Sequence, residues 1–90
     1  MSKKIDTDQK VKMMNAHLEQ FREMSHRTKN RIERLAELSL VIEDELRHQY
    51  FADRVNDLFS VSNLFETKIE ELIQDYEIER NRVVNEELPA

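Results

Sequence analysis

The sequence predicts an all-α protein, an antiparallel two-helix hairpin of the coiled-coil kind, and three observations carry that expectation. The chain has no Gly and one Pro in 90 residues, and these are the residues that helix interiors tolerate least. Charged residues make up 37% of it, a composition of long, solvent-facing helices. Apolar residues recur in two runs at alternating steps of three and four, the 3.5-residue period of helices that pack along a seam.

The first run needs a start, and Thr7 or Asp8 is suited to cap it through a side-chain oxygen. Residues 1–7 are then a flexible N-terminus, and the first arm spans about 8–46. Its seam reads Val11, Met14, Leu18, Phe21, Ser25, Thr28, Ile32, Leu35, Ser39, Ile42 and Leu46. The second run reads Phe51, Val55, Leu58, Ser62, Phe65, Ile69, Leu72, Tyr76, Glu79 and Val83, in an arm of about 51–87. Leu88-Pro89-Ala90 closes the chain as a flexible tail, since Pro cannot continue a helix. The five-residue step from Leu46 to Phe51 breaks the period, so the turn is placed at Arg47-His48-Gln49-Tyr50. A rival break at Ser60-Val61-Ser62-Asn63, with Asn63 and Glu66 as a capping box, would divide the chain unequally.

Folding at residues 47–50 pairs seam positions whose numbers sum to 97. Ser25 then faces Leu72, Thr28 faces Ile69, Ser39 faces Leu58 and Ser62 faces Leu35, small against large, as close packing requires. The basic stretch Arg27, Lys29, Arg31 and Arg34 falls beside Glu66, Glu70 and Glu71. Tyr50 and Tyr76 are read as seam aromatics with their hydroxyls at the rim.

Apolar residues are left over outside this seam. Met24, Leu38, Val41, Phe59, Leu64 and Ile73 are the candidate partner-binding residues, because a two-helix hairpin cannot bury them and a four-helix bundle, with a second copy or a helical partner, can.

Several function classes are excluded or disfavoured. There is no Cys, so thiolate metal sites, disulfides and cysteine nucleophiles are absent. The net charge of −5 opposes general nucleic-acid binding, which rests on Lys and Arg neutralising phosphates. No apolar run approaches the roughly 20 residues of a membrane span, and no apolar segment follows Met1-Ser2-Lys3-Lys4 as in a secretory signal, so a cytoplasmic location is expected. Two Glu-x-x-His spacings, Glu23 to His26 and Glu45 to His48, match a di-iron motif. Both lie on one arm, about 33 Å apart, whereas that motif needs two facing helices. His17 lacks any accompanying nucleophile or phosphate loop. No catalytic site, metal or cofactor is expected.

Length, two near-equal arms and the lack of Cys together resemble the WXG (ESX-like) small helical hairpins of type VII secretion and the related small partners of LXG effectors. Tyr50-Phe51-Ala52 stands where that family has Trp-x-Gly at its turn. The family's export signal sets an acidic residue four positions after an aromatic, whereas Tyr50 to Asp53 and Tyr76 to Glu79 are spaced by three. The resemblance implies an adaptor, chaperone or targeting subunit that binds the helical region of an effector and can be co-exported with it. Two other readings compete. One is an acidic, phage-type inhibitor mimicking nucleic acid through Glu70, Glu71, Asp75 and Glu77; the other is a structural coiled-coil oligomer.

Overall fold

The computed structural model describes residues 6–86 and shows two helices, α1 (Thr7–Asp44) and α2 (Gln49–Glu86), packed against each other as an antiparallel hairpin. The fold class is the one the periodicity predicts, and the start of α1 and the two helix ends at the turn move by one to two residues; the termini expected to be flexible lie outside the described residues, apart from Asp6 and Thr7. Asp6, not Thr7 or Asp8, caps α1: its Oδ1 accepts a hydrogen bond of 2.8 Å from the Gln9 backbone N–H. Asp8 lies in the first turn, where its charge favours the positive end of the helix dipole.

The turn occupies 45–48, two residues before its expected place, so Gln49 and Tyr50 are already helical. Without a Gly, the reversal falls on Arg47, which adopts φ 56°, the left-handed region where a Cβ is crowded. Two carbonyls of the last turn are satisfied there: Val41 accepts from the N–H groups of Glu45 and Leu46, and Ile42 accepts from His48 at 3.1 Å. No second break occurs at 60–63, where α2 is continuous. Asn63 Nδ2 donates to the Phe59 carbonyl and Thr67 Oγ1 donates to that of Asn63, both bonds running back one helical turn rather than capping a new helix.

The α1 seam matches its expected positions from Val11 to Ile42. Leu46 is the exception, lying in the turn and 70% exposed. The α2 seam is corrected by one residue on alternate steps. Its sheltered positions are Ala52, Val55, Phe59, Ser62, Glu66, Ile69, Ile73, Tyr76, Arg80 and Val83. Phe51, Leu58, Phe65, Leu72 and Glu79, expected inside, are exposed. The expected size pairing changes with them. Ser25 Oγ donates to Glu66 Oε1 at 2.6 Å, and Ser39 Oγ donates to Asn56 Oδ1 at 2.8 Å. Thr28 and Ile69 are both buried, as their pairing requires.

The physical reason is that α1 presents small hydroxyl residues to the seam, and these accept a carboxylate and an alanine as neighbours where a leucine was expected. Ala52 is fully buried and its carbonyl approaches Ser39 Oγ at 3.4 Å, a proximity that a larger side chain at 52 would oppose. Glu66 is 8% exposed, held by Ser25 and by Lys29 Nζ at 3.5 Å, with Oε2 unpartnered.

Two outcomes test this packing. Arg47→Gly relieves the left-handed strain and is expected to raise stability by about 0.5–1 kcal/mol in urea titration, less what the more flexible unfolded chain takes back. Ser25→Ala leaves the buried Glu66 carboxylate with one fewer donor and is expected to lower stability by about 1–3 kcal/mol. The double variant Ser25→Ala/Glu66→Leu is expected to recover most of that loss, because an apolar replacement for a half-satisfied buried carboxylate removes the unmet group.

Candidate partner-binding face

The one-residue rotation of α2 decides what each side of the hairpin presents. On one side the arms are joined by charge. Arg22 Nη2 lies 3.0 Å from Glu77 Oε1, Lys29 Nζ lies 3.3 Å from Glu70 Oε1, and Arg80 Nη1 donates to Asn15 Oδ1 at 3.0 Å. The Glu70 hydrogen bond, followed by the charges of Glu70 and Glu66, holds the Lys29 ammonium above its ordinary lysine pKa. These pairs are exposed and add little stability, but they fix which flanks meet.

On the other side the arms carry apolar residues with nothing over them. Phe51, Leu58, Phe65 and Leu72 follow one another at steps of seven along α2 and are 49%, 57%, 47% and 43% exposed. Residues seven apart share one face of a helix packed as a coiled coil, so the four form a single ridge. Met24 and Leu38 stand on the facing flank of α1, themselves exposed. Between the arms lies an open groove of about 360 Å³ lined by Phe21, Met24, Phe65, Lys68, Ile69 and Leu72. Nearer the turn, Phe51, Arg54, Val55, Asp57 and Leu58 line a second recess.

The six candidate contact residues divide between these environments. Met24 and Leu38 flank the apolar groove side, and Val41 is exposed three residues beyond Leu38. Leu64 is exposed on the outer face of α2, midway between the seam positions Ser62 and Glu66. Phe59 and Ile73 are half-buried within the α2 seam, so their side chains contribute to the hairpin's interior. The ridge of Phe51, Leu58, Phe65 and Leu72 takes the exposed place that sequence reasoning gave to them.

The signal that finds this ridge is electrostatic. α2 offers two adjacent stripes at the seven-residue repeat, and apolarity alone selects Phe51-Leu58-Phe65-Leu72 over Ala52-Phe59-Glu66-Ile73. Pairing Arg22 with Glu77 and Lys29 with Glu70 turns the first stripe outward. Of the basic stretch expected beside Glu66, Glu70 and Glu71, Lys29 makes that contact; Arg27 instead pairs with Glu23 of its own helix at 2.5 Å.

The remaining polar candidates have structural neighbours. His17 Nδ1 shares a hydrogen bond of 2.5 Å with the Tyr76 hydroxyl, and the Tyr76 ring meets Phe21 edge-on at 5.3 Å between centroids. Tyr50, expected at the seam, is 60% exposed and lies under the Arg54 guanidinium. His48 stacks near Phe51 in the turn. Among the described residues, no three His, Asp or Glu side chains converge as a metal site, and no helix is long and apolar enough to cross a membrane.

Truncation separates the two stripes. Ile69→Ala empties a buried position and is expected to cost about 2–4 kcal/mol in chemical denaturation. Phe65→Ser and Leu72→Ser, on the outward ridge, are expected to change stability by less than about 1 kcal/mol. Equal losses at Ile69 and Phe65 would return Phe65 to the interior.

Compared with known proteins, the chain matches no family model, no curated protein and no solved structure.

Proposed function

We propose that this hairpin is a non-catalytic helical adaptor or chaperone that completes a bundle with a helical segment of another protein. The observation that carries the reading is the Phe51-Leu58-Phe65-Leu72 ridge with Met24 and Leu38 beside it. Apolar side chains at that spacing are what a helix-in-groove interface uses as anchors.

The helical region of a type VII secretion effector is a partner of the required shape, which is how the resemblance to the WXG-type hairpins bears on the proposal. The acidic-mimic reading is less well supported, because two of its four carboxylates, Glu70 and Glu77, are paired with Lys29 and Arg22.

Selection from a displayed library of helical segments tests the adaptor reading. Segments enriched on the parent are expected to lose binding to Leu58→Asp/Phe65→Asp, since a charge buried at such an interface is costly. Circular dichroism of the variant is expected to remain that of the parent. Segments that bind parent and variant equally would place the interface elsewhere.

A further inference from the structure

We propose that the occupant of the apolar face is an acidic amphipathic helix of a partner protein, an inference that rests on the adaptor reading and names the chemistry of the partner. The chain as a whole is acidic, with 19 Asp and Glu against 14 Lys and Arg, yet the recesses beside the ridge are lined by Arg27, Arg31, Arg34, Arg54 and Lys68 against one acid, Asp57. Arg31 falls midway between Met24 and Leu38 at steps of seven, on the same flank of α1. With Arg27, Asn30 and Arg34 it lines a shallow depression on that helix. On α2, Lys68 lines the groove with Phe65 and Leu72, and Arg54 lines the recess with Phe51 and Leu58.

Of these cations Arg27 pairs with Glu23 of its own helix and Arg54 lies over the Tyr50 ring, donating to its hydroxyl at 3.4 Å, while the others have no acidic partner among the described residues. Among the described residues, Arg31, Arg34, Arg54 and Lys68 form no salt bridge, whereas Arg22 and Lys29 on the opposite flank both pair across the arms. An apolar centre with an unpaired basic rim is complementary to a helix that is apolar on one face and carries Glu or Asp beside it. The region from Phe51 to Leu72 spans about 32 Å of helix, so the segment it accommodates is about 20 residues long.

A second copy fits less well. Any two-fold axis centred on the ridge sets this group of cations against itself. Duplex nucleic acid would use the arginines but gain little from the apolar ridge, and it meets a net charge of −5.

The test uses the full chain and two labelled peptides of about 20 residues with identical Leu positions at steps of three and four, one flanked by Glu and one by Lys. Fluorescence anisotropy at about 0.15 M salt is expected to show the Glu-flanked peptide binding at least about tenfold more tightly, with the advantage shrinking as salt rises. In the triple variant Arg27→Glu/Arg31→Glu/Arg34→Glu the preference is expected to invert while helicity is unchanged. Equal binding of the two peptides, or a preference that survives the triple variant, overturns the acidic-helix proposal. If such equal binding is lost in the uncharged variant Leu58→Ser/Phe65→Ser, the adaptor reading stands without it. A chain that forms a dimer by light scattering which neither peptide displaces, or that binds duplex DNA more tightly than the Glu-flanked peptide through the same arginines, also overturns it. Binding of neither peptide has the same consequence.

Discussion

A pair of helices shares one seam, and that constraint governs this molecule. Each arm runs 38 residues, about 57 Å at 1.5 Å per residue, and each can turn only one stripe toward the other. The described chain is accordingly 65 Å long with a radius of gyration of 20.0 Å, against about 12 Å for a compact domain of similar length. Among the described residues, Leu18 is the one large side chain that is completely enclosed. Whatever lies outside the stripe remains in water unless another molecule covers it.

Which stripe of α2 faces inward is settled by weak interactions acting together rather than by the most apolar choice. Arg22–Glu77 and Lys29–Glu70 each have little net energy at a solvated surface, but they act along one flank and all prefer the same rotation. Ser25 and Ser39 add hydrogen bonds to Glu66 and Asn56 that the alternative rotation would not make. The outcome places a glutamate in the seam and phenylalanines outside it. Taken alone, that exchange is unfavourable by the hydrophobic effect; it is understandable when the exposed ridge has a binding role, since natural sequences depart from their packing rules mostly where function demands it.

How much of this is legible in the sequence follows from the same physics. The helices, their antiparallel arrangement and the α1 seam are written in a clear period of three and four, with Gly absent and one Pro near the end. The α2 seam is ambiguous because three adjacent heptad positions are rich in apolar residues: Phe51-Leu58-Phe65-Leu72, then Ala52-Phe59-Glu66-Ile73, then Val55-Ser62-Ile69-Tyr76. A wide apolar face fixes that the helix packs, not how it is rotated about its axis. The turn lies two residues before the place the period indicates because a Gly-free reversal depends on Arg47 entering the left-handed region, for which a sequence of Arg and His gives no local cue. Met24 and Leu38 border the well-defined α1 seam and are exposed as the period requires, whereas Phe59 and Ile73 border the ambiguous α2 seam and are half-buried in it.

A thin seam and an uncovered ridge also link binding to folding. Among the described residues the buried apolar side chains are Leu18, Ala52, Ile69 and Val83, a thin core of the kind short chains have in general. A partner that binds the folded hairpin and not the unfolded chain adds stability in proportion to the logarithm of its free concentration over its dissociation constant. The ridge and the seam lie on the same helix one residue apart, so ordering the ridge against a partner also holds α2 in the rotation that buries Glu66 beside Ser25. Recognition and register are therefore one equilibrium: a partner that favours the outward Phe51-Leu58-Phe65-Leu72 ridge also favours the hairpin that displays it.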